Sequence, residues 1–416
     1  MGRLLTTGEL AKHCSVTTEA VANWIRAGKL MASVTPGGHY RIEFDEALRF
    51  LKEYGMPPIE PERMAEAREQ PGSTESRVVL VKTDMPSFVR QLTEVYRVYG
   101  PVARGSQFVF HRIENSDQLR LDYLSTIVPP KKFLLPKKET LLTFDLEKGA
   151  SAEPEEKAEP LLLLGVHSCD MQAILRLDNR FRTGNPESSY FKRREQAYFI
   201  GVTCTADEYC FCDIVRTQKR DEGFDLFFSD IGQSYYVTIL TKRGQDIMNL
   251  ADVQNPTQVD ELENRRALAR CTCETGSRFK PDVASLPLLC QNGEDLPMWD
   301  EIAAKCLSCG TCTMVCPTCY CFDVLDEIDL DLVHGRRNRF WDSCQLEEFA
   351  EVAGGESFRK ERRQRQKHRF YRKFRYLMSE YGSPFCVGCG RCGRQCVAGI
   401  NVIDIANQLQ AGVNAL

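Results

Sequence analysis

Two short runs of cysteine constrain this chain more than any other feature. The first is Cys306-Leu-Ser-Cys309-Gly-Thr-Cys312-Thr-Met-Val-Cys316-Pro317, and the second is Cys386-Val-Gly-Cys389-Gly-Arg-Cys392-Gly-Arg-Gln-Cys396. Three thiols at such spacing on a tight loop wrap three corners of an iron–sulfur cube, while the fourth commonly ligates a different cluster. The pair of runs is therefore read as two 4Fe-4S clusters with crossed ligation. Cys306, Cys309, Cys312 and Cys396 are assigned to one, and Cys386, Cys389, Cys392 and Cys316 to the other. Gly310 and Gly390 follow the second cysteine of each run, where a missing side chain lets the backbone bend close and aim N–H groups at sulfur. Four-cysteine zinc sites are the competing reading, but zinc usually takes separated CxxC pairs. The second run departs from the pattern in carrying Val397 where the first has Pro317.

The 416 residues contain 19 cysteines, an odd number that cannot all pair within one molecule. The opening MGRLLTTGEL lacks the apolar stretch of a signal peptide. A reducing, cytoplasmic compartment is expected, in which clustered cysteines bind metal. The longest apolar run, Leu161–Val166, is strand-sized, so no membrane span is expected. A net charge of −4 excludes a globally basic nucleic-acid binder.

Segment composition predicts a multidomain α+β chain. Residues 56–76, with four prolines and few apolar side chains, read as a linker. Residues 77–296 alternate short apolar runs with helix-length segments, which predicts an α/β domain. Residues 297–416 carry the two cysteine runs. Inside the α/β domain a second constellation stands out: Gly165-Val-His-Ser-Cys169-Asp170, then Cys204, Cys210 and Cys212. Both groups follow strand-like runs, and parallel neighbouring strands would deliver them to one sheet edge, where open α/β folds place ligands. Four thiolates there would hold a third 4Fe-4S cluster. Cys14, Cys271, Cys273, Cys290, Cys319, Cys321 and Cys344 are left without a settled role, although Cys271 and Cys273 could join a metal site.

From Arg77 onward the chain resembles the iron–sulfur subunits of cytoplasmic redox complexes, namely the beta subunit of archaeal sulfhydrogenases and the corresponding iron–sulfur subunit of anaerobic sulfite reductase. The resemblance lies in GVHSCD with Asp178 downstream, CTADEYCFC, DEGFDLFFSDIG, CLSCGTCTMVCPTCYCFD, WDSC with AGGESFR, and CVGCGRCGRQC. It implies an electron-transfer subunit of an anaerobe, relaying electrons between a flavin-containing diaphorase-type subunit and a hydrogenase- or reductase-type catalytic subunit. The carboxyl-terminal part would be an α-helical ferredoxin-like domain whose cluster loops are separated by an inserted helical segment. No nucleophile–base pair, oxyanion site or GxGxxG fingerprint accompanies these motifs, so no substrate site and no catalytic residue are expected in this subunit.

Residues 1–55 read differently. Thr6-Thr-Gly-Glu9 is a capping-box pattern, Val21, Trp24 and Ile25 form one apolar helical face ended by Gly28, and Thr35-Pro-Gly-Gly-His39-Tyr-Arg41-Ile42 suggests a hairpin. The segment resembles the winged helix-turn-helix of the MerR and excisionase type, which implies DNA contacts from residues 18–26 and from His39 and Arg41. Through Glu53, however, seven Lys/Arg oppose six Asp/Glu, weak electrostatic support for phosphate binding; protein docking stands beside DNA binding. An iron–sulfur redox-sensing transcriptional regulator is the alternative function. A basic run, residues 359–375, has ten Lys/Arg against one Glu. Its place between the cluster loops suggests cations that stabilise reduced clusters, and Phe370 and Phe374 at i, i+4 suggest one buried face.

Overall fold

The computed structural model describes residues 4–14, 18–26, 28–34, 40–54, 76–152, 160–271 and 278–415. The expected linker up to residue 75, the segment 15–17, the hairpin tip including His39, and Cys273 lie outside the described residues. The chain divides into two units, Met1–Thr74 and Glu75–Leu416.

In the first unit, β1 (Leu4–Thr6), β2 (Ser33–Val34) and β3 (Tyr40–Glu43) form an antiparallel sheet in the order β1-β3-β2. Helices α1 (Thr7–His13), α2 (Thr18–Arg26) and α3 (Phe44–Glu53) close over Leu5, Leu10, Val21, Ile42 and Phe50. Trp24 and Ile25 pack half-buried against that core, the Trp24 ring 4.9 Å from Phe50. Gly28 turns the chain after α2 at a φ of +70°, its N–H donating to the Ile25 carbonyl at 3.0 Å, a left-handed turn that suits glycine.

The second unit is built on a seven-stranded sheet. Its strands are β4 (Ser76–Val81), β5 (Arg97–Arg104), β6 (Gln107–Arg112), β9 (Leu161–Val166), β10 (Ala197–Val202), β11 (Leu226–Asp230) and β12 (Ser234–Ile239). They lie in the order β4-β12-β11-β10-β9-β5-β6, with β5, β9, β10 and β11 mutually parallel and antiparallel strands at both edges. β9 is buried along its whole length, as expected of a central parallel strand covered on both faces. Alternate residues serve alternate faces. Leu162 and Leu164 meet Phe88 and Leu92 of the helix Met85–Val95, whereas Leu161 and Leu163 meet Ile174 and Leu177 of the helix Ser168–Arg182.

A smaller sheet joins the two halves of this unit. β7 (Lys138–Asp145) and β8 (Ala150–Ala152) pair with a hairpin of β13 (Phe322–Ile328) and β14 (His334–Trp341), in the order β13-β14-β7-β8. The insertion between the cysteine runs is thus not wholly helical. Its first part is a hairpin because the free edge of β7 supplies a ladder for β14, from His334 opposite Asp145 to Phe340 opposite Lys138; that partner is far away in sequence and invisible to local pattern. The second part is helical, Arg362–Tyr371 continuing through a wider π-type turn to Tyr381, and Phe370 and Phe374 are buried on one face. They pack with Trp299, Ile405 and Leu409. Phe211 and Val215 belong to the same core, so residues on both sides of position 296 share it.

Candidate functional site

The two cysteine runs fold alike. Gly310, at a φ of +74°, starts the one-turn helix Thr311–Met314, and Gly390, at +70°, starts the one-turn helix Arg391–Arg394. Added side chains would collide: a Cβ on Gly390 would lie 2.7 Å from the Tyr209 backbone, and one on Gly388 2.6 Å from the Phe211 carbonyl. The second run therefore lies directly on the Tyr209–Phe211 backbone, and the Phe211 N–H donates to the Gly388 carbonyl at 2.8 Å. WDSC braces the first run, Ser343 and Thr313 sharing a hydroxyl hydrogen bond of 2.5 Å.

Cys306, Cys309, Cys312 and Cys396 line one cavity, together with Gly310, Gln366 and Arg369. The last cysteine of the second run thus stands with the first three of the first. Cys316 lies within electrostatic reach of Cys386 and Cys389, and Cys386 of Cys392. Backbone and amide donors point at these sulfurs. Gln366 Nε2 and the Ser308 N–H donate to Cys306 Sγ at 2.8 and 3.3 Å, the Gly388 N–H to Cys386 at 3.5 Å, and the Ile400 N–H to Cys396 at 3.4 Å. Burial pushes the Cys312 and Cys389 thiols up to about 11 and Cys386 higher. Thiolates at these positions need a positive partner to offset the burial. Iron supplies one, so cavity, donors and thiol chemistry fit an iron–sulfur cluster. Among the described residues no three Cys, His, Asp or Glu converge on a single metal ion.

Cations surround the nests. Burial opposes charge on Arg369, but Cys312, Cys392 and Cys316 outweigh it and hold the guanidinium charged. Lys373 is similarly buried and similarly held by Cys316 and Cys319, its Nζ donating to Thr318 Oγ1 at 2.8 Å. The basic run is therefore turned partly inward.

The second constellation sits where β9 and β10 end side by side. Cys169 and Cys210 are neighbours, and Cys204 lies near both. Cys271 shares a hydrogen bond with Cys204 that raises the Cys204 thiol and lowers Cys271 to about 6. Gln218 Nε2 ties the group together, donating to the Cys271 carbonyl at 2.8 Å and to Cys212 Sγ at 3.6 Å. This group adjoins the second run: Cys210 Sγ is 3.9 Å from the Cys389 carbonyl. Arg391 is wholly buried and forks onto Asp170 at 2.6 and 2.7 Å. His167 stacks on Tyr123 at 4.0 Å and is kept neutral by burial, its pKa lowered to about 3. Asp178 accepts from Tyr190 and Arg194 and serves packing. Sequence spacing marked the motif cysteines and raised Cys271 only as a residue that could join a metal site; it did not mark Gln366 or Arg391, whose positions depend on long-range folding.

A cavity rimmed by thiols and N–H donors, beside a second cysteine run on a matching glycine turn, defines an iron–sulfur protein of the dicluster kind, and residues 305–400 match the 4Fe-4S dicluster domain family. The chain is 35% identical over 335 residues to the sulfhydrogenase 2 subunit beta of Pyrococcus furiosus, spanning 79% of this chain and 96% of that protein. It belongs to this family of sulfhydrogenase beta subunits, and is an iron–sulfur electron-transfer subunit of an oxidoreductase. No solved structure matches the chain. Among the described residues no helix is long and apolar enough to cross a membrane.

Proposed function

We propose that the chain relays electrons in a cytoplasmic complex, between a flavin-containing diaphorase-type subunit and a hydrogenase- or reductase-type catalytic subunit. Cys306, Cys309, Cys312 and Cys396 hold one cluster, and Cys316, Cys386, Cys389 and Cys392 a second. Cys169, Cys204, Cys210 and Cys212 hold a third, with Cys271 beside them. Each cluster, when bound, takes up and releases one electron at a time. Gln366, Ser308, Gly388 and Ile400 direct N–H groups at the thiolates, while Arg369 and Lys373 offset the negative charge of the reduced state.

The observation that carries this reading is the cavity shared by Cys396 with Cys306, Cys309 and Cys312. Anaerobically purified chain should contain about twelve irons, and Cys396→Ala should remove or alter one cluster's electron paramagnetic resonance while leaving the others. About eight irons would sink the third cluster, and an unaltered spectrum would sink the crossed ligation.

For the first unit we infer a helix-turn-helix module, on the order of α1, α2 and the β2–β3 hairpin. With its near-balanced charge it serves as a protein-docking element. Salt-sensitive, sequence-specific retention of duplex DNA by the whole chain would favour the regulator reading instead.

A further inference from the structure

Outside the proposed ligand sets, Cys319, Cys321 and Cys344 line one open cavity of about 370 Å³. Arg359, Arg372 and Lys373 stand on its walls, and among the described residues no acidic side chain lines it. Cys321 immediately precedes β13. The β13–β14 ladder ends at Phe322 opposite Trp341, and one further bond, from the Asp342 N–H to the Cys321 carbonyl at 3.0 Å, fixes the chain just beyond it. Cys344 follows two residues later, and its sulfur shares a hydrogen bond with Cys321. Cys321 is half-buried and Cys344 is buried. Two cysteines at one cavity whose side chains share a hydrogen bond, one half-buried and one buried, are arranged for making and breaking an S–S bond.

We propose that Cys321 and Cys344 are a reactive dithiol that reduces a small, carboxylate-bearing disulfide, with Cys321 attacking and Cys344 resolving. The Cys321 thiolate forms a bond to one sulfur of the substrate, whose S–S bond breaks and releases one thiolate. Cys344 then attacks Cys321, and its proton leaves on the second released thiol. One disulfide is reduced to a thiolate and a thiol, and one Cys321–Cys344 disulfide is formed. An external dithiol reductant restores the pair by the reverse exchange. Arg359, Arg372 and Lys373 favour an anionic partner. The hydrogen bond from Cys344, aided by Lys373 and Arg372 against burial, lowers Cys321 to about 6, near the range where a thiolate is both abundant and nucleophilic.

The test uses the full chain with its clusters, kept anaerobic, pre-reduced with dithiothreitol and then freed of it. Glutathione disulfide, which is anionic, is compared with cystamine, which is cationic. Peptide mapping should recover a Cys321–Cys344 cross-link, and glutathione disulfide should react about tenfold faster at low salt. Cys344→Ser should stall with glutathione on Cys321, and Cys321→Ser should take no adduct at Cys344, both keeping the parent's iron content. Absence of the cross-link, equal rates with the two disulfides, or loss of iron in either variant would overturn the proposal. The first two readouts need no variant, so a poorly folding substitution leaves them decisive.

Discussion

Cys306 receives two N–H···S bonds, the stronger from Gln366 Nε2. Such donors stabilise the more negative, reduced state of a cluster. Gln366→Leu should therefore lower the potential of the cluster at that nest by roughly 60 mV, a tenfold change in a one-electron equilibrium; a redox titration followed by electron paramagnetic resonance checks it. Glu46 illustrates the same logic for a carboxylate. Its hydrogen bond from Arg49, together with the Met31 N–H at 2.9 Å, lowers its pKa from 4.5 to about 2. That carboxylate contributes stability fully above pH 4.5 and loses it as pH falls through about 2. Glu46→Gln should cost about 1 kcal/mol or less at pH 7, and urea melts should find the difference vanishing toward pH 2. The two glycine-started cysteine turns were legible because the motif that makes them is local. Gln366 was not, since nothing near it in sequence announces a sulfur partner, and Cys271 was raised only as a residue that could join a metal site.

At the scale of elements, the basic run shows what a charge count conceals. Ten cations would mark a nucleic-acid face if all were solvated, yet Arg365, Lys373 and the apolar Phe370 and Phe374 are buried in the same helical segment. The buried aromatic pair was legible from its i, i+4 spacing, as were the parallel neighbours β9 and β10 from their apolar runs. The β13–β14 hairpin was not, because its pairing partner β7 lies almost two hundred residues earlier. Gly388 tests how tightly the second cysteine run is seated. With a φ of +66° and 2.6 Å of space before the Phe211 carbonyl, Gly388→Ala should destabilise the second unit by about 1–3 kcal/mol. Chemical denaturation measures that cost, and a neutral result would mean that the run and the Tyr209–Phe211 segment are less closely joined.

Across the molecule, the Asp170–Arg391 fork joins the end of β9 to the last cysteine run through a wholly buried pair. Removing one partner leaves the other uncompensated, so Arg391→Ala should cost about 3–5 kcal/mol; an Asp170→Asn, Arg391→Gln double variant should recover part of it, read from the midpoint of thermal unfolding. The sheet order was beyond the reach of the sequence for a related reason: charges and ladders that close over hundreds of residues leave no local periodicity. The join between β7 and β14 also has a consequence for biosynthesis. A growing chain emerges from the ribosome with residues 138–145 already made and 334–341 not yet available, so β7 waits with one edge unpaired. Cys396 comes later still. On the proposed ligation, iron delivery to the nest it shares with Cys306 is completed only once residue 396 has been made, and a nascent chain meeting oxygen before then carries its thiols undefended.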